Sequence, residues 1–111
     1  MKKLFSLALT FFIISCGSHK SPIAQYQVKV WGNCDFAKSK IESSAKVAGV
    51  LEAQWNKDSK LLSLQLDSTK VSIEEVMRGV SASGFDNDYF TGNDYEYEKF
   101  PDSCKYERKV Q

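Results

Sequence analysis

The sequence is poor in the residues that most active sites need. Its 111 residues include one histidine, three cysteines and two prolines, and 15 Lys and Arg nearly balance 14 Asp and Glu. A near-neutral chain lacks the basic excess of nucleic-acid-binding proteins. The one histidine, His19, precedes the predicted domain, so no base is available there to activate a cysteine. Thioredoxin-type paired cysteines and a phosphate-binding glycine loop are also missing. These absences argue against nucleic-acid binding and against an enzyme.

The longest apolar run lies at the N-terminus and is too short to span a bilayer. Lys2 and Lys3 precede apolar residues 4–14, and the small residue Ser15 follows. A basic start, a short apolar segment and a small residue are typical of a secretory signal peptide, which we assign to residues 1–15. The mature protein is therefore expected in an extracytoplasmic space, on the periplasmic or cell-surface side.

The end of this signal, Ile-Ile-Ser-Cys at residues 13–16, resembles the lipobox of bacterial lipoproteins. The resemblance implies that Cys16 is acylated and becomes the new N-terminus, with residues 16–24 as a tether. Acyl chains add about 0.8 kcal/mol per buried methylene, so more than one chain gives a stable membrane anchor. The alternative is an ordinary signal peptide with a cysteine nearby by coincidence.

Apolar periodicity in the first half of the remaining chain predicts a strand, a helix and a hairpin. Residues 25–30 alternate as a half-buried strand does, and residues 50–55 and 61–66 alternate around a turn. Between them, helical spacing predicts a first helix that ends at Gly49. The apolar positions that define these elements are Tyr26, Val28 and Val30, then Ala37, Ile41, Ala45 and Ala48, then Leu51, Ala53 and Trp55, then Leu62, Leu64 and Leu66.

A capping box predicts where the second helix begins. Ser72 and Glu75 have the spacing at which each side chain bonds the backbone N–H of the other residue, and Gly84 is placed to end the helix. Its apolar stripe comprises Ile73, Val76, Met77 and Val80. Residues 85–90 predict a short fourth strand at the sheet edge. The order strand, helix, strand, strand, helix, strand predicts an α+β ferredoxin-like βαββαβ sandwich, with both helices on one face of an antiparallel sheet.

Motifs across the domain that we assign to residues 25–91 resemble the heavy-metal-associated domain. They are Cys34-x-x-Ala37-x-x-x-Ile41-Glu42, Gly49-Val50, Ser72-Ile73-Glu74-Glu75-Val76 and Ser83-Gly84-Phe85-Asp86. In that family, which includes small copper chaperones and the periplasmic mercury-binding protein, a Cys-x-x-Cys loop binds Cu(I) or another soft ion and passes it on by ligand exchange. The resemblance implies a metal-transport or metal-accepting protein as a partner. We expect the protein itself to be a monomer.

The loop at Cys34 departs from the family pattern. Ala37 stands where the second cysteine is expected, and Trp31, Gly32 and Asn33 precede Cys34 where Gly-Met-Thr or Gly-Met-His is usual. The aromatic residue that faces the loop in the family, often tyrosine in bacterial members, corresponds to Phe85 here. The resemblance thus implies one loop thiol, with Trp31, Gly32, Asn33 and Phe85 adjoining it.

The C-terminal tail, residues 92–111, supplies another thiol and is expected to pack back on the domain. Ser103-Cys104 resembles the end of some extracytoplasmic relatives, in which two adjacent cysteines follow the domain. Cys34 precedes a predicted helix, whose N-terminus favours a thiolate. Cys34 and Cys104 could then form a two-thiolate site for Cu(I), which prefers soft sulfur ligands. In an oxidising compartment the same two residues could instead form a disulfide, or they could be unrelated.

Two hypotheses about function follow. In the first, the protein is a membrane-anchored, extracytoplasmic chaperone, buffer or sensor that binds a soft ion, with Cu(I) as the favoured one, through Cys34 and with Cys104 as a second candidate ligand. In the second, it is a structural or protein-interaction module on the same fold, with a Cys34–Cys104 disulfide and no metal. Neither hypothesis makes the protein an enzyme.

Overall fold

A computed structural model of the protein describes residues 22–110. In chain order it contains strand β1 (Ile23–Lys29), helix α1 (Asp35–Ala45), strands β2 (Val50–Trp55) and β3 (Leu61–Asp67), helix α2 (Ile73–Ala82), the short helix α3 (Asp94–Glu98) and a 3-10 turn (Asp102–Cys104). The predicted signal peptide and the predicted lipidation site, Cys16, lie outside the described residues. Within residues 22–110, none of the helices has the length and apolar character needed to cross a bilayer.

The strands form an antiparallel sheet in the order β1-β3-β2 within the described part of the chain. Val28 of β1 and Trp55 of β2 both lie opposite Leu62 of β3, and all three side chains are buried on the face that the helices cover. Leu51, predicted to share that face, is exposed. The register shifts between Val50 and Glu52, so Leu51 is an extra residue in β2 and its alternation is lost.

Helix α2 begins and ends as predicted. The Ser72 hydroxyl accepts a hydrogen bond from Glu75 N at 3.1 Å, and the Glu75 carboxylate accepts one from Ser72 N at 3.0 Å, which confirms the capping box. Gly84 follows the C-cap residue Ser83 with a φ of +102°, a left-handed conformation that glycine adopts without strain. The predicted apolar stripe is buried against α1 and the sheet and comprises Ile73, Val76, Met77 and Val80.

Helix α1 ends earlier than predicted. Its last residue is Ala45, Lys46 is the C-cap, and Ala48 is exposed rather than part of the buried stripe. Gly49 does have a positive φ of +97°, but it belongs to a turn in which Val50 N donates to Val47 O. The prediction that Gly49 ends the helix was therefore wrong.

The predicted fourth strand is reduced to one isolated bridge between Val30 and Asn87. The Asn87 side chain accepts hydrogen bonds from the backbone N–H groups of Tyr89 and Phe90, which turns the chain back at once. The Asp88 carboxylate accepts from Lys29 N at 3.0 Å, in the place of a strand carbonyl. The polar side chains of Asn87 and Asp88 thus limit the pairing to two backbone bonds, from Asp88 N to Lys29 O and from Trp31 N to Asp86 O. The bridge nevertheless lies beside β1, at the edge where a fourth strand was expected.

Residues 92–110 cross the domain and return to the loop that precedes α1. Gly92 makes the crossing close, because a Cβ at this position would lie 2.7 Å from the Gly84 carbonyl carbon. Downstream, Phe100, Cys104 and Tyr106 are each at most 6 % exposed and belong to the main hydrophobic core. The C-terminal segment is therefore packed on the domain, and it brings Cys104 to the start of α1.

Candidate functional site

Cys34 and Cys104 form a disulfide at the start of α1. Their sulfur atoms are 2.09 Å apart and their Cα atoms 5.3 Å apart. Cys34 is the N-cap of α1, where its sulfur accepts a hydrogen bond from Ala37 N at 3.3 Å. Cys34 is half-buried, whereas Cys104 is 5 % exposed. The two sulfurs therefore occupy one site, with Cys34 on its more accessible side.

Ala37 lies one turn into α1, at the position of the missing loop cysteine. Its side chain is buried. A Cβ added to Gly32 would lie 3.3 Å from the Cβ of Ala37 and 3.0 Å from the Trp55 ring, so the loop before Cys34 packs directly on Trp55. Ala37 contributes its backbone N–H to the site and no ligand atom.

The loop residues next to Cys34 hold it to the rest of the domain. Trp31 N donates to Asp86 O at 2.9 Å, and the Lys60 ammonium donates to Gly32 O. The Asn33 side-chain amide donates to Lys105 O at 3.0 Å. This last bond joins the residue before Cys34 to the residue after Cys104, so it flanks the disulfide. The half-buried Trp31 ring also has the ammonium of Lys29 at 4.5 Å from its centroid.

Phe85 contacts the C-terminal segment on both sides of Cys104. Its ring is fully buried, with its centroid 4.9 Å from that of Phe100 and 6.2 Å from that of Tyr106. Phe100 in turn meets Phe36 of the first turn of α1, edge to face, with centroids 6.1 Å apart. Stacked and edge-to-face rings at such distances add stability beyond burial. Phe85 therefore adjoins the site by supporting the tail that carries Cys104.

Asp86 is a buried carboxylate, and its side chain accepts hydrogen bonds from both ends of the C-terminal segment. Arg108 donates to both of its oxygens, at 2.8 and 2.9 Å, while Gly92 N and Lys109 N donate at 2.7 and 2.8 Å. Burial raises the pKa of Asp86, but these bonds outweigh burial and hold the pKa of the carboxyl below its ordinary value. The hydrogen bond from Arg108 to Asp86 also raises the pKa of Arg108. Both groups are charged at neutral pH.

Tyr106 connects the tail to the end of α2. Its hydroxyl donates to Gly84 O at 2.6 Å and accepts from Asp86 N at 2.9 Å. Tyr97 donates to Tyr106 O at 2.7 Å, so the tail is also bonded to itself. Burial is the main reason why the pKa of Tyr106 rises to about 12. Tyr106 therefore remains a neutral hydrogen-bonding group.

No local sequence pattern marked Asp86, Tyr106 and Arg108 as residues that hold the site together. Of the aromatic residues that precede Cys104 in the tail, Phe100 is buried but Tyr95 is 72 % exposed. Asp86 lies just beyond α2 among other polar residues, Ser83, Asn87 and Asp88, so no feature of the sequence set it apart as a buried charge. Its partner lies 22 residues away, and no short-range pattern relates the two.

The chemistry of the site depends on its redox state. Within residues 22–110, no group of three or more His, Cys, Asp or Glu side chains is arranged to hold a metal ion. The two sulfurs are therefore the ligand set to consider, and as a disulfide neither of them is a thiolate. Addition of two electrons and two protons converts the disulfide into two thiols. Those thiols fit the preference of Cu(I) for soft sulfur ligands.

Comparisons with solved structures support the fold. The chain is similar to a CopZ metallochaperone, with a TM-score of 0.56 and 29% identity over 58% of this chain and 98% of that one. It also resembles a Bacillus anthracis (strain Ames) protein named for copper-ion binding, with a TM-score of 0.58 and 23% identity over 61% of this chain and 99% of that one. Comparisons with protein-family models and with curated proteins give no match. The predicted α+β ferredoxin-like class is confirmed, while about two fifths of this chain lies outside each match.

Proposed function

We propose that this protein is an extracytoplasmic, membrane-anchored chaperone, buffer or sensor that binds Cu(I) through Cys34 and Cys104 when both are reduced. The observation that carries the proposal is that the two sulfurs meet at the N-terminus of α1. The similarity to a CopZ metallochaperone supports metal binding as the role of this fold here. The function is one of binding and transfer, without catalysis.

The surroundings of Cys34 favour a metal-binding thiolate. The unpaired N–H groups at the start of a helix stabilise negative charge, and one of them, Ala37 N, already points at the Cys34 sulfur. Cys104 supplies the second sulfur in the role that the family resemblance gives to the loop position held by Ala37. Because Cys34 is the more exposed of the pair, an incoming thiolate of a metal-transport or metal-accepting partner would attack copper from its side.

The expected location makes the oxidised form the resting form. The N-terminal signal and Cys16 favour an anchored lipoprotein outside the cytoplasm, where disulfides persist. A dithiol reductant of that compartment would open the site, giving two protein thiols while its own thiols become a disulfide. Copper binding would then follow reduction.

A second candidate function rests on the disulfide itself. The closed bond, together with the burial of Cys104 and of the rings around it, describes a tail locked onto the domain. If the bond is permanent, the protein is a structural or protein-interaction module without a metal. The two candidates differ only in whether the disulfide is opened.

Competition for Cu(I) against a chromogenic chelator tests the proposal with reduced protein purified in detergent. We expect one-to-one binding that Cys34→Ser and Cys104→Ser each weaken. Ser103→Ala, a change at the exposed neighbour of Cys104, serves as the matched control and should leave binding unchanged. If neither cysteine variant differs from the parent protein, the copper proposal fails and the module remains. If only Cys34→Ser weakens binding, Cys104 is not a ligand.

A further inference from the structure

We propose that Asp86 is a positioning residue for the thiol pair, which it keeps together after the disulfide has been reduced. It does so by holding residues 106–109, and with them Cys104, against the domain. The inference deepens the proposed function and rests on it in one respect, since a preformed pair of thiols matters most if the reduced protein binds a metal.

Cys104 lies between two anchor points that do not involve its sulfur. Phe100 and Tyr106 are both buried against Phe85, four residues before and two residues after Cys104. A residue spans at most about 3.3–3.6 Å of chain, so the Cα of Cys104 stays within about 7 Å of the Cα of Tyr106. While Tyr106 is docked, Cys104 cannot leave the neighbourhood of α1.

The contacts of Asp86 explain why Tyr106 stays docked. The carboxylate is fully buried and bonded to Gly92, Arg108 and Lys109, so it joins the start of the tail to its end. Separation of the tail would break a two-point ion pair in a poorly hydrated place, where hydrogen bonds to charged groups are strongest. The Tyr106 hydroxyl adds bonds to Gly84 O and Asp86 N. None of these contacts requires the disulfide.

A hydrogen bond between Asn33 and Lys105 aligns the chain segments that carry the two cysteines. It runs between the residues that directly flank Cys34 and Cys104, at 3.0 Å. With the tail docked, both thiols therefore remain at the first turn of α1 in the reduced protein. A pair held in this way has an effective concentration well above the millimolar value of a pair joined by a flexible chain.

The equilibrium between the protein and glutathione measures this effective concentration without any metal. Glutathione disulfide oxidises the protein dithiol to the Cys34–Cys104 disulfide, releasing two molecules of reduced glutathione. The fraction oxidised, followed by thiol labelling and mass spectrometry over a series of glutathione ratios, gives the effective concentration. The comparison includes the parent protein, Asp86→Asn and Arg108→Gln. The chain's other arginine supplies the control, Arg78→Gln, because Arg78 is exposed on α2 and contacts the Phe90 ring.

We expect Asp86→Asn and Arg108→Gln, the two latch variants, to lower the effective concentration by about tenfold or more, toward the millimolar range, while Arg78→Gln leaves it unchanged. Circular dichroism of the reduced variants shows whether they are folded under assay conditions. If one fails to fold, Arg108→Lys, which keeps the charge but loses the two-point geometry, and Tyr106→Phe decide the question.

An unchanged effective concentration in folded variants would overturn the inference. The copper competition is a separate measurement. Normal copper affinity in a folded latch variant would contradict positioning while leaving the copper proposal intact. If the parent protein binds no copper but has a high effective concentration that the latch variants lose, the copper proposal fails and positioning by Asp86 is supported.

Discussion

The Cα atoms of Cys34 and Cys104 lie 5.3 Å apart, although 70 positions separate them in the chain. This proximity attaches the C-terminal segment to the first turn of α1. The candidate site consequently exists only when the segment is docked. A domain without residues 92–111 would have the α+β core and a single thiol.

Reduction of the disulfide should lower the stability of the protein without unfolding it. Closing a loop of this length reduces the entropy of the unfolded chain, which the loop-entropy account converts to about 4 kcal/mol of unfolding free energy. Urea unfolding with and without reductant measures the difference. The Cys34→Ser, Cys104→Ser double variant should match the reduced protein and show no response to reductant. Equal stability of the oxidised and reduced parent protein would contradict this expectation.

Ala37→Cys should restore a site that does not need the tail. In a Cys104→Ser background, the substitution places a second thiol one helical turn from Cys34, as in the family loop. We expect tighter Cu(I) binding than in Cys104→Ser alone, measured by the same chelator competition. Ala37 is buried close to Gly32 and Trp55, so the added sulfur should cost about 1–3 kcal/mol of stability. Equal affinity in the two proteins would argue against this loop as a metal site.

Asp86→Asn should destabilise the protein at neutral pH and reduce its sensitivity to acid. Loss of one member of a buried ion pair costs about 3–5 kcal/mol. Because the folded protein lowers the pKa of Asp86, the stabilising effect of the charge is present above the ordinary value of about 3.9 and is lost as the pH falls through the folded pKa. The stability difference between the two proteins should therefore stay constant from pH 7 to about pH 4 and begin to shrink below that pH.

Comparing the parent protein with Asp86→Asn separates the acid response of Asp86 from that of the other acidic groups. Burial raises the pKa of Glu42, but bonds from Lys38 and Trp55 N lower it overall, and bonds from Thr69 lower the pKa of Asp67. Both groups remain in Asp86→Asn, so their acid response is common to the two proteins. A stability difference that stays constant down to pH 3 would show that Asp86 does not titrate as proposed.

Gly92→Ala should loosen the tail from the domain. The new Cβ would lie 2.7–2.8 Å from backbone atoms of Gly84 and Phe85, which cannot move as a side-chain end can. We expect a loss of about 1–3 kcal/mol in thermal or urea unfolding, with Ser103→Ala as an exposed control in the same tail. Stability equal to that of the control would mean that the crossing is less tight than the structure indicates.

Local patterns in the sequence predicted the elements whose bonds are local. The capping box of α2 and the β2–β3 hairpin depend on side chains a few residues apart, and the structure contains both. The predictions were wrong where a long-range contact or an irregular turn determines the local structure. Leu51 is displaced by a register shift, and the strand expected at residues 85–90 gives way to a turn closed by the Asn87 side chain.

The sequence by itself determined the α+β class, the order of its main helices and strands, and the position of one cysteine at a helix start. Apolar periodicity and capping act over a few residues, so a single chain is enough to recognise them. Only the tertiary structure decided that Cys104 meets Cys34, that Asp86 binds Arg108 and that Phe85 supports the tail. These pairings depend on the path of an irregular segment, which is set by burial of its side chains against the finished domain and which no local pattern encodes.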